Sequence, residues 1–411
     1  MKVHSAAIAL LTCLVAAAAC ASPSDAPRTD ESNITDVAHT PVERQSIGNC
    51  WLYAHASWAE AMHKAATGKT FDISQSYWTY WHWFDQITDV ASDTLDTGGS
   101  WQMANYLVEK YGLMAEKDFI SADTRSQMSA RQAEALEEIN RELESGELRT
   151  LTARRNKATV RRVLDRAWRL PASKVAMLDQ VFGPRAERNF ASRRSQADSS
   201  GTSIVRPDEF EAAYPRGPGA EPEARTLLDA SRDWQEVSYR GNRRSVLTRV
   251  QRALHDAQPV VISWFVDFNA MENRPNERLG SFNLTTLREF GPGSQGGHMT
   301  VLEDYQAILS DGTVLEAGIT LDPSKSKDQK LLDRALEVST QIQFLRVKNS
   351  WGTARPDRGF APGMPGYHDL YLDYLNGPIQ ECATDEDGET DTSNCRKRVT
   401  PLEDFVLPPG Y

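Results

Sequence analysis

The chain lacks an excess of basic residues and lacks an internal repeat, and both absences narrow the classes of protein it can be. Lysine and arginine number 46 against 57 aspartates and glutamates, which gives a net charge of −11. The net charge of the chain therefore does not indicate a nucleic-acid partner. No fixed period runs through the 411 residues, so a solenoid is not expected. With 40% hydrophobic and 25% charged residues, the composition is that of a soluble globular protein with a sizeable core.

The longest apolar run lies at the N-terminus, and it is too short to span a membrane comfortably. Met1-Lys2 precedes apolar residues 6–19 and a few small residues, the order found in a secretory signal. We interpret residues 1–21 as this signal and residues 22–40 as a polar tether. The sequence therefore predicts an exported protein, which could be secreted, periplasmic or anchored to a membrane.

Two routes of signal processing remain open. Ala17-Ala18-Ala19-Cys20 resembles a bacterial lipobox, and cleavage there would leave a lipidated Cys20 as a membrane anchor. Ordinary cleavage after Ala21 would discard that cysteine instead. The residues favour neither route over the other.

Cysteines are few enough to be assigned one by one. Cys13 lies in the signal and Cys20 at its end. Cys382 and Cys395 flank an acidic, turn-rich stretch, and in an oxidising compartment they are expected to form a local disulfide. A metal site there would need more ligands than are nearby. Cys50 would then be the single free thiol of the mature chain, which favours a chemical role for it.

Cys50 lies in a pattern that is typical of a reactive thiol. Gly48-Asn49-Cys50-Trp51 leads into an Ala-rich apolar segment that reaches about Ala66 and stops at Gly68, so the cysteine is predicted to open a helix. The positive end of a helix dipole stabilises a thiolate. We therefore expect the pKa of Cys50 to be lowered and its sulfur to be nucleophilic near neutral pH.

Helical patterns come first in the chain and strand patterns last, which predicts an α+β fold. Residues 41–120 are expected to form a helical part with the nucleophile, residues 121–223 a helical insertion followed by a linker, and residues 224–411 a β-rich part. The aromatic residues between Trp78 and Phe84 are most simply core residues of one helix.

A nucleophilic thiol needs a base, and histidine suits this role because its pKa lies near the operating pH. His298 follows two glycines, Gly296 and Gly297, at the start of a predicted strand, which would leave its imidazole uncrowded. Asn349, in Lys348-Asn349-Ser350-Trp351-Gly352, could accept the imidazole N–H while Trp351 excludes water. The chain order Cys50, His298, Asn349 is hard to explain by chance.

These motifs resemble those of papain-like cysteine peptidases. The resemblance covers about residues 41–119 and 234–376, and it implies a helical lobe with Cys50 and an antiparallel barrel-like lobe with His298 and Asn349. Gly98 and Gly99 resemble the glycine pair that hydrogen-bonds substrate backbone in this family. Gln45 is similar to the family's oxyanion donor, but it lies five residues before Cys50, one fewer than usual, so Asn49 is considered as a substitute.

The sequence also departs from the family in three respects. The usual separation of nucleophile and base is about 130–150 residues, whereas 298 − 50 = 248 here. The extra residues must lie in 121–223. Ile47 replaces a common cysteine, and no segment between the signal and Cys50 is long enough for an inhibitory propeptide. These traits favour the bleomycin-hydrolase-like branch, which Arg206-Pro207-Asp208-Glu209-Phe210 weakly resembles.

The sequence therefore predicts an exported cysteine peptidase that acts on a peptide or protein substrate. No metal and no organic cofactor is implied, and the insertion is hypothesised to cap or narrow the cleft. Two alternatives stay open: a catalytically silent papain-like surface binding protein, and a cysteine acyltransferase or transpeptidase.

Overall fold

The computed structural model describes residues 37–89, 93–125, 128–194, 196–240, 243–355, 357–384, 390–398 and 400–411. The predicted signal, most of the tether and Cys20 lie outside the described residues. Within the described part of the chain, no helix combines the length and apolar character needed to cross a membrane.

Thirteen α-helices occur in the described ranges, and most of them lie in the first two thirds of the chain. They are α1 (Cys50–Thr67), α2 (Gln75–Asp89), α3 (Trp101–Tyr111), α4 (Glu116–Phe119), α5 (Ala130–Glu144), α6 (Leu151–Arg155), α7 (Lys157–Ala167), α8 (Ala172–Phe182), α9 (Leu227–Asp233), α10 (Arg243–His255), α11 (Leu284–Phe290), α12 (Ser326–Ala335) and α13 (Leu372–Asn376).

The strands of the described ranges lie mainly in the last third of the chain. They are β1 (Leu113–Met114), β2 (Ile204–Val205), β3 (Glu211–Tyr214), β4 (Glu223–Thr226), β5 (Gln235–Ser238), β6 (Val260–Asp267), β7 (Ser281–Phe282), β8 (Gln295–Ile308), β9 (Val314–Leu315), β10 (Gln341–Lys348), β11 (Tyr367–Tyr371), β12 (Ile379–Thr384), β13 (Thr390–Arg398) and β14 (Leu402–Leu407). The predicted α+β class is confirmed.

Helix α1 ends where the sequence predicts. Gly68 follows α1 in the left-handed conformation, with φ of 69°, and its N–H bonds the carbonyl of Lys64. Such a φ is unfavourable for residues with a Cβ atom, which is why the helix stops at a glycine. Ser100 caps α3 by accepting a hydrogen bond from the N–H of Met103.

Helix α2 is buried on all sides because the insertion covers it. Trp81 packs against Phe182 at 4.8 Å between ring centroids, and Trp83 packs against Trp168 at 5.4 Å. The α2 aromatics are at most 1% exposed, which confirms their interpretation as core residues. In these contacts the insertion lies against α2; a capping role over the cleft stays a prediction.

Residues 196–223 are more ordered than the predicted linker. Strand β2 pairs with β1 through Leu113 and Val205, and β3 pairs with β4. Phe210 is 2% exposed and stacks on His63 of α1 at 4.4 Å. Parts of the predicted linker are therefore ordered, because its few apolar residues make long-range contacts that its Ser-, Gly- and Pro-rich composition conceals.

The β-rich part is built on one sheet with the order β5-β14-β6-β8-β10-β11-β7, and β9 pairs with β8. Every pair of strands in this sheet is antiparallel except β7 with β11, which is parallel. The lobe that was expected to be antiparallel therefore contains one parallel pair. Strand β8 lies at the centre and contributes Met299 and Val301 to the core that contains α1. This packing brings the start of α1 to the start of β8.

Candidate active site

Cys50 is the first residue of α1 and is 9% exposed. It is the free cysteine of the described residues. Burial raises the pKa of its thiol to about 11, although hydrogen bonds from the backbone N–H groups of Met299, Trp51 and Cys50 itself act in the opposite direction. The predicted lowering of this pKa was therefore wrong for the thiol in its buried site, because loss of hydration outweighs the helix N-terminus.

His298 lies on β8 next to Met299, whose N–H faces the thiol. Its Nε2 is 2.8 Å from Oδ1 of Asn349, which follows β10. A carbonyl oxygen accepts only, so Nε2 carries the proton and Nδ1 keeps a lone pair. Burial lowers the pKa of His298 to about 4, the bond to Asn349 raises it, and the charge of Arg358 lowers it further. The imidazole is thus a neutral base near pH 7.

Trp351 covers the imidazole as the sequence predicts. Its ring stacks on that of His298 with 4.8 Å between centroids and 21° between planes. The guanidinium of Arg358 lies 4.2 Å from the Trp351 ring and 4.4 Å from that of Phe268. Arg358 was missed in the sequence, since nothing local to it signals a contact with a residue seven positions earlier.

Gln45 lies on the loop before α1 and is tied to the end of β10. Its side-chain Nε2 donates to the carbonyl of Ile47 at 2.9 Å, and its Oε1 accepts from the Ser350 hydroxyl at 2.6 Å. A second N–H of the Gln45 amide remains for an oxyanion. Asn49 is unsuitable as the substitute donor, because its Nδ2 already donates to Thr79 and to Gln132.

Gly98 and Gly99 lie beside the tryptophan that follows the cysteine. The Trp51 indole donates to the carbonyl of Thr97 at 3.0 Å. A Cβ atom placed on Gly99 would come within 2.3 Å of the Trp51 ring, so glycine is needed for this approach. The glycine pair is therefore held close to the start of α1.

The other glycine pair, Gly296 and Gly297, faces open space. A Cβ atom on either residue would meet nothing within 4 Å. The side of the sheet immediately before His298 is therefore accessible, as expected for the wall of a cleft.

Three carboxylates near this site could hold a cation by geometry: the ligand oxygens of Glu43, Asp72 and Glu116 lie within 4.8 Å of one another. Burial, and after it the charge of Asp72, raises the pKa of Glu116 to about 9. A protonated Glu116 bonds to Asp72, and Gln75 donates a hydrogen bond to Glu43. These two bonds explain how the three carboxyl groups can lie close together without a cation. We assign it no metal.

Cys382 and Cys395 form a disulfide between the paired strands β12 and β13, as the sequence predicts. The hairpin they close lies away from Cys50 in the chain and contributes no residue to the site described above.

The first part of the chain, residues 4–182, matches the family model of the Peptidase C1-like family. The resemblance to papain-like cysteine peptidases is therefore confirmed. The match includes Cys50 and Gly98-Gly99 and ends with α8, so His298 and Asn349 lie outside it. No match was found among curated proteins.

Solved structures of cysteine peptidases are also similar to this chain. Xylellain from Xylella fastidiosa is 11% identical with a TM-score of 0.35, and the alignment covers 92% of this chain and 86% of xylellain. Bromelain from Ananas comosus, in complex with the E64 inhibitor, is 14% identical with a TM-score of 0.30, covering 91% and 95%. The protease and lectin-like domains of Cwp84 from Clostridium difficile are 12% identical with a TM-score of 0.32, covering 90% and 49%.

Proposed function

We propose that this cysteine peptidase hydrolyses peptide bonds through Cys50, His298 and Asn349. The observation that carries the proposal is the hydrogen bond between His298 and Asn349. The residue that follows His298 on β8, Met299, directs its N–H at the Cys50 thiol. The bond leaves Nδ1 of the imidazole as the nitrogen that can receive the thiol proton.

Each step of the reaction has a group to perform it. The Cys50 proton passes to Nδ1 of His298, and the resulting thiolate bonds to the scissile carbonyl carbon, whose C=O electron pair moves onto the oxygen. The proton transfer creates opposite charges on the two residues at once, and their attraction offsets the burial that disfavours either charge alone. The imidazolium then protonates the departing amine and leaves a thioester. Water, deprotonated by His298, adds to the thioester and releases the free acid, and the departing sulfur takes the proton back from the imidazolium.

The oxyanion formed in both steps needs donors. Gln45 and the backbone N–H of Cys50 are the proposed pair, and losing one such donor typically costs about 100- to 1000-fold in kcat. Trp351 would exclude water from the bond between His298 and Asn349, and Gly98 and Gly99 would bind the substrate backbone. No metal or organic cofactor enters this chemistry.

The test compares the wild type with Cys50→Ala on a peptide library and on unfolded protein. We expect new amino termini with the wild type and none with the variant. Adding a peptide amine in excess separates hydrolysis from acyl transfer: hydrolysis gives free acids, whereas a transpeptidase gives ligated products. A silent binding protein would give no new termini with either form.

Export is proposed from residues 1–21 alone. Mass spectrometry of the mature N-terminus in a bacterial host distinguishes the two routes: a lipidated Cys20, lost in Cys20→Ala, or cleavage after Ala21. An unprocessed Met1 in the cytoplasm would contradict export.

A further inference from the structure

The start of the inserted helix α5 is attached to the loop that precedes the nucleophile. Three links join the two segments: a β-bridge between Arg44 and Met128, a hydrogen bond of 2.7 Å from the Ser46 hydroxyl to the Ser129 carbonyl, and one of 3.0 Å from Asn49 Nδ2 to Gln132 Oε1. The insertion thus reaches the segment that carries Gln45 and Cys50.

Gln132 is the deepest of these links, with an exposed fraction of 0%. Its Oε1 accepts from Asn49, and its Nε2 donates to the Ser76 hydroxyl at 3.1 Å and, at 3.4 Å, to Tyr53. In a buried polar network every bond matters, because water cannot replace a missing partner. The Gln132 side chain is therefore fixed, and it fixes Asn49 in turn.

Asn49 sets the geometry of the turn into α1. Its backbone N–H bonds the carbonyl of Ile47 at 2.9 Å, and its own carbonyl accepts from Leu52. It occupies the N-cap position of α1, yet its side chain makes no capping bond to the helix. The Asn49 amide instead points away from α1, to Thr79 on α2 and Gln132 on α5. Helix α2 and helix α5, which belongs to the insertion, thus both hold this turn.

We propose that Gln132 is a positioning residue for catalysis: by holding Asn49, it fixes the Cys50 backbone N–H and sulfur relative to His298. The insertion would then be part of the active-site framework and not an independent appendage. This inference rests on the proposed role of Cys50 as nucleophile. It predicts that breaking the Gln132–Asn49 bond impairs the chemical step more than substrate binding.

The test variant is Gln132→Met, which keeps the approximate volume and removes the hydrogen bonds. We expect kcat for a fluorogenic peptide to fall roughly 10- to 100-fold, since small misplacements of reacting groups have effects of this size. KM should change by less than about threefold. The pH dependence of the rate at which iodoacetamide alkylates Cys50 should also change.

Ile139→Val is the matched control, because Ile139 is equally buried on α5 but is absent from the three links to the loop. It should lower the melting temperature and leave kcat unchanged when both variants are assayed well below their melting temperatures. If Gln132→Met kept a kcat within twofold of the control, the inference would be wrong.

Two further variants keep the test decisive. In a double-mutant cycle, Asn49→Ala should cost little in kcat once Gln132→Met is present, and fully multiplicative losses would contradict the proposal. If Gln132→Met fails to fold, Asn49→Ala alone breaks the same bond from its other side, and a kcat equal to that of wild type would then overturn the inference. Cys50→Ala is assayed in parallel: residual activity in that variant would refute the proposed function itself, whatever the result at Gln132.

Discussion

Asn349 accepts two hydrogen bonds on one oxygen: Oδ1 lies 2.8 Å from Nε2 of His298 and 2.7 Å from the N–H of Ser350. The backbone bond fixes the amide, and the amide in turn fixes the imidazole. Replacing Asn349 with alanine should therefore release the ring and lower kcat on the order of 100-fold, with little change in KM. Steady-state kinetics with a fluorogenic peptide measures this.

The control for that variant is Asn156→Ala, which removes another structurally fixed asparagine. Asn156 caps α7 through a bond from the N–H of Thr159, so its loss should cost about 0.5–2 kcal/mol of stability. It should leave kcat as in the wild type. Equal kcat losses in the two variants would mean that Asn349 acts through stability alone.

Arg358 should influence the titration of His298. Its positive charge disfavours the imidazolium, so Arg358→Leu should raise the pKa of His298. The neighbouring His368 does not interfere near neutral pH, because burial lowers its pKa to about 3. The limb of the kcat/KM profile that His298 governs should move to higher pH.

Salt provides the check on this electrostatic argument. The shift should be largest at low ionic strength if the charge is partly exposed to solvent. Arg396→Gln, which removes an exposed arginine from the distant hairpin, should leave the profile in place. An unchanged profile in Arg358→Leu would show that the guanidinium acts on Trp351 only by packing.

The contact between Gly99 and Trp51 predicts a steric effect. Gly99→Ala places a methyl group about where the indole lies, and overpacking of this kind costs about 1–3 kcal/mol. Thermal unfolding should show this loss, and KM should rise as the glycine pair moves. Gly217→Ala serves as the control, since its Cβ would meet nothing within 4 Å; a similar loss there would contradict the steric explanation.

Glu116 predicts how stability depends on pH. In the folded protein its pKa is about 9, whereas in the unfolded chain it is near 4.3. Between these values the folded state holds a proton that the unfolded state has lost, so stability falls as the pH rises. Glu116→Gln stays neutral and should reduce the loss between pH 6 and 9 by about 1 kcal/mol or more.

Urea unfolding at several pH values measures that slope. The exposed Glu137→Gln should leave it unchanged, which controls for the loss of one negative charge. If Glu116→Gln declined as steeply as the wild type, the carboxylate cluster would not be protonated as described.

Local motifs were enough to single out His298 and Asn349, which the structure joins by a hydrogen bond. Cys50 follows Gly48-Asn49 at a helix start, and Asn349 follows a buried strand, so short patterns carried the information. The α2 aromatics were recognisable as core for the same reason: a run so rich in tryptophan and tyrosine, without basic residues, is most simply buried.

The features that could not be predicted from the sequence depend on contacts between residues that are far apart in the chain. The thiol pKa of Cys50 depends on burial against β8, some 250 residues later. Gln132 and Arg358 matter through the surfaces they touch, and their own neighbours in sequence carry no signal. The pairing of Leu113 with Val205, 92 residues apart, likewise turns a predicted linker into ordered structure.

The most direct test of the central claim is labelling of Cys50 by an epoxide-type cysteine-peptidase inhibitor, followed by intact-mass analysis. We predict one inhibitor per chain in the wild type, none in Cys50→Ala, and much slower labelling in His298→Ala because the base is missing. Absence of labelling in the folded wild type, or equal labelling in Cys50→Ala, would contradict a nucleophilic role for Cys50.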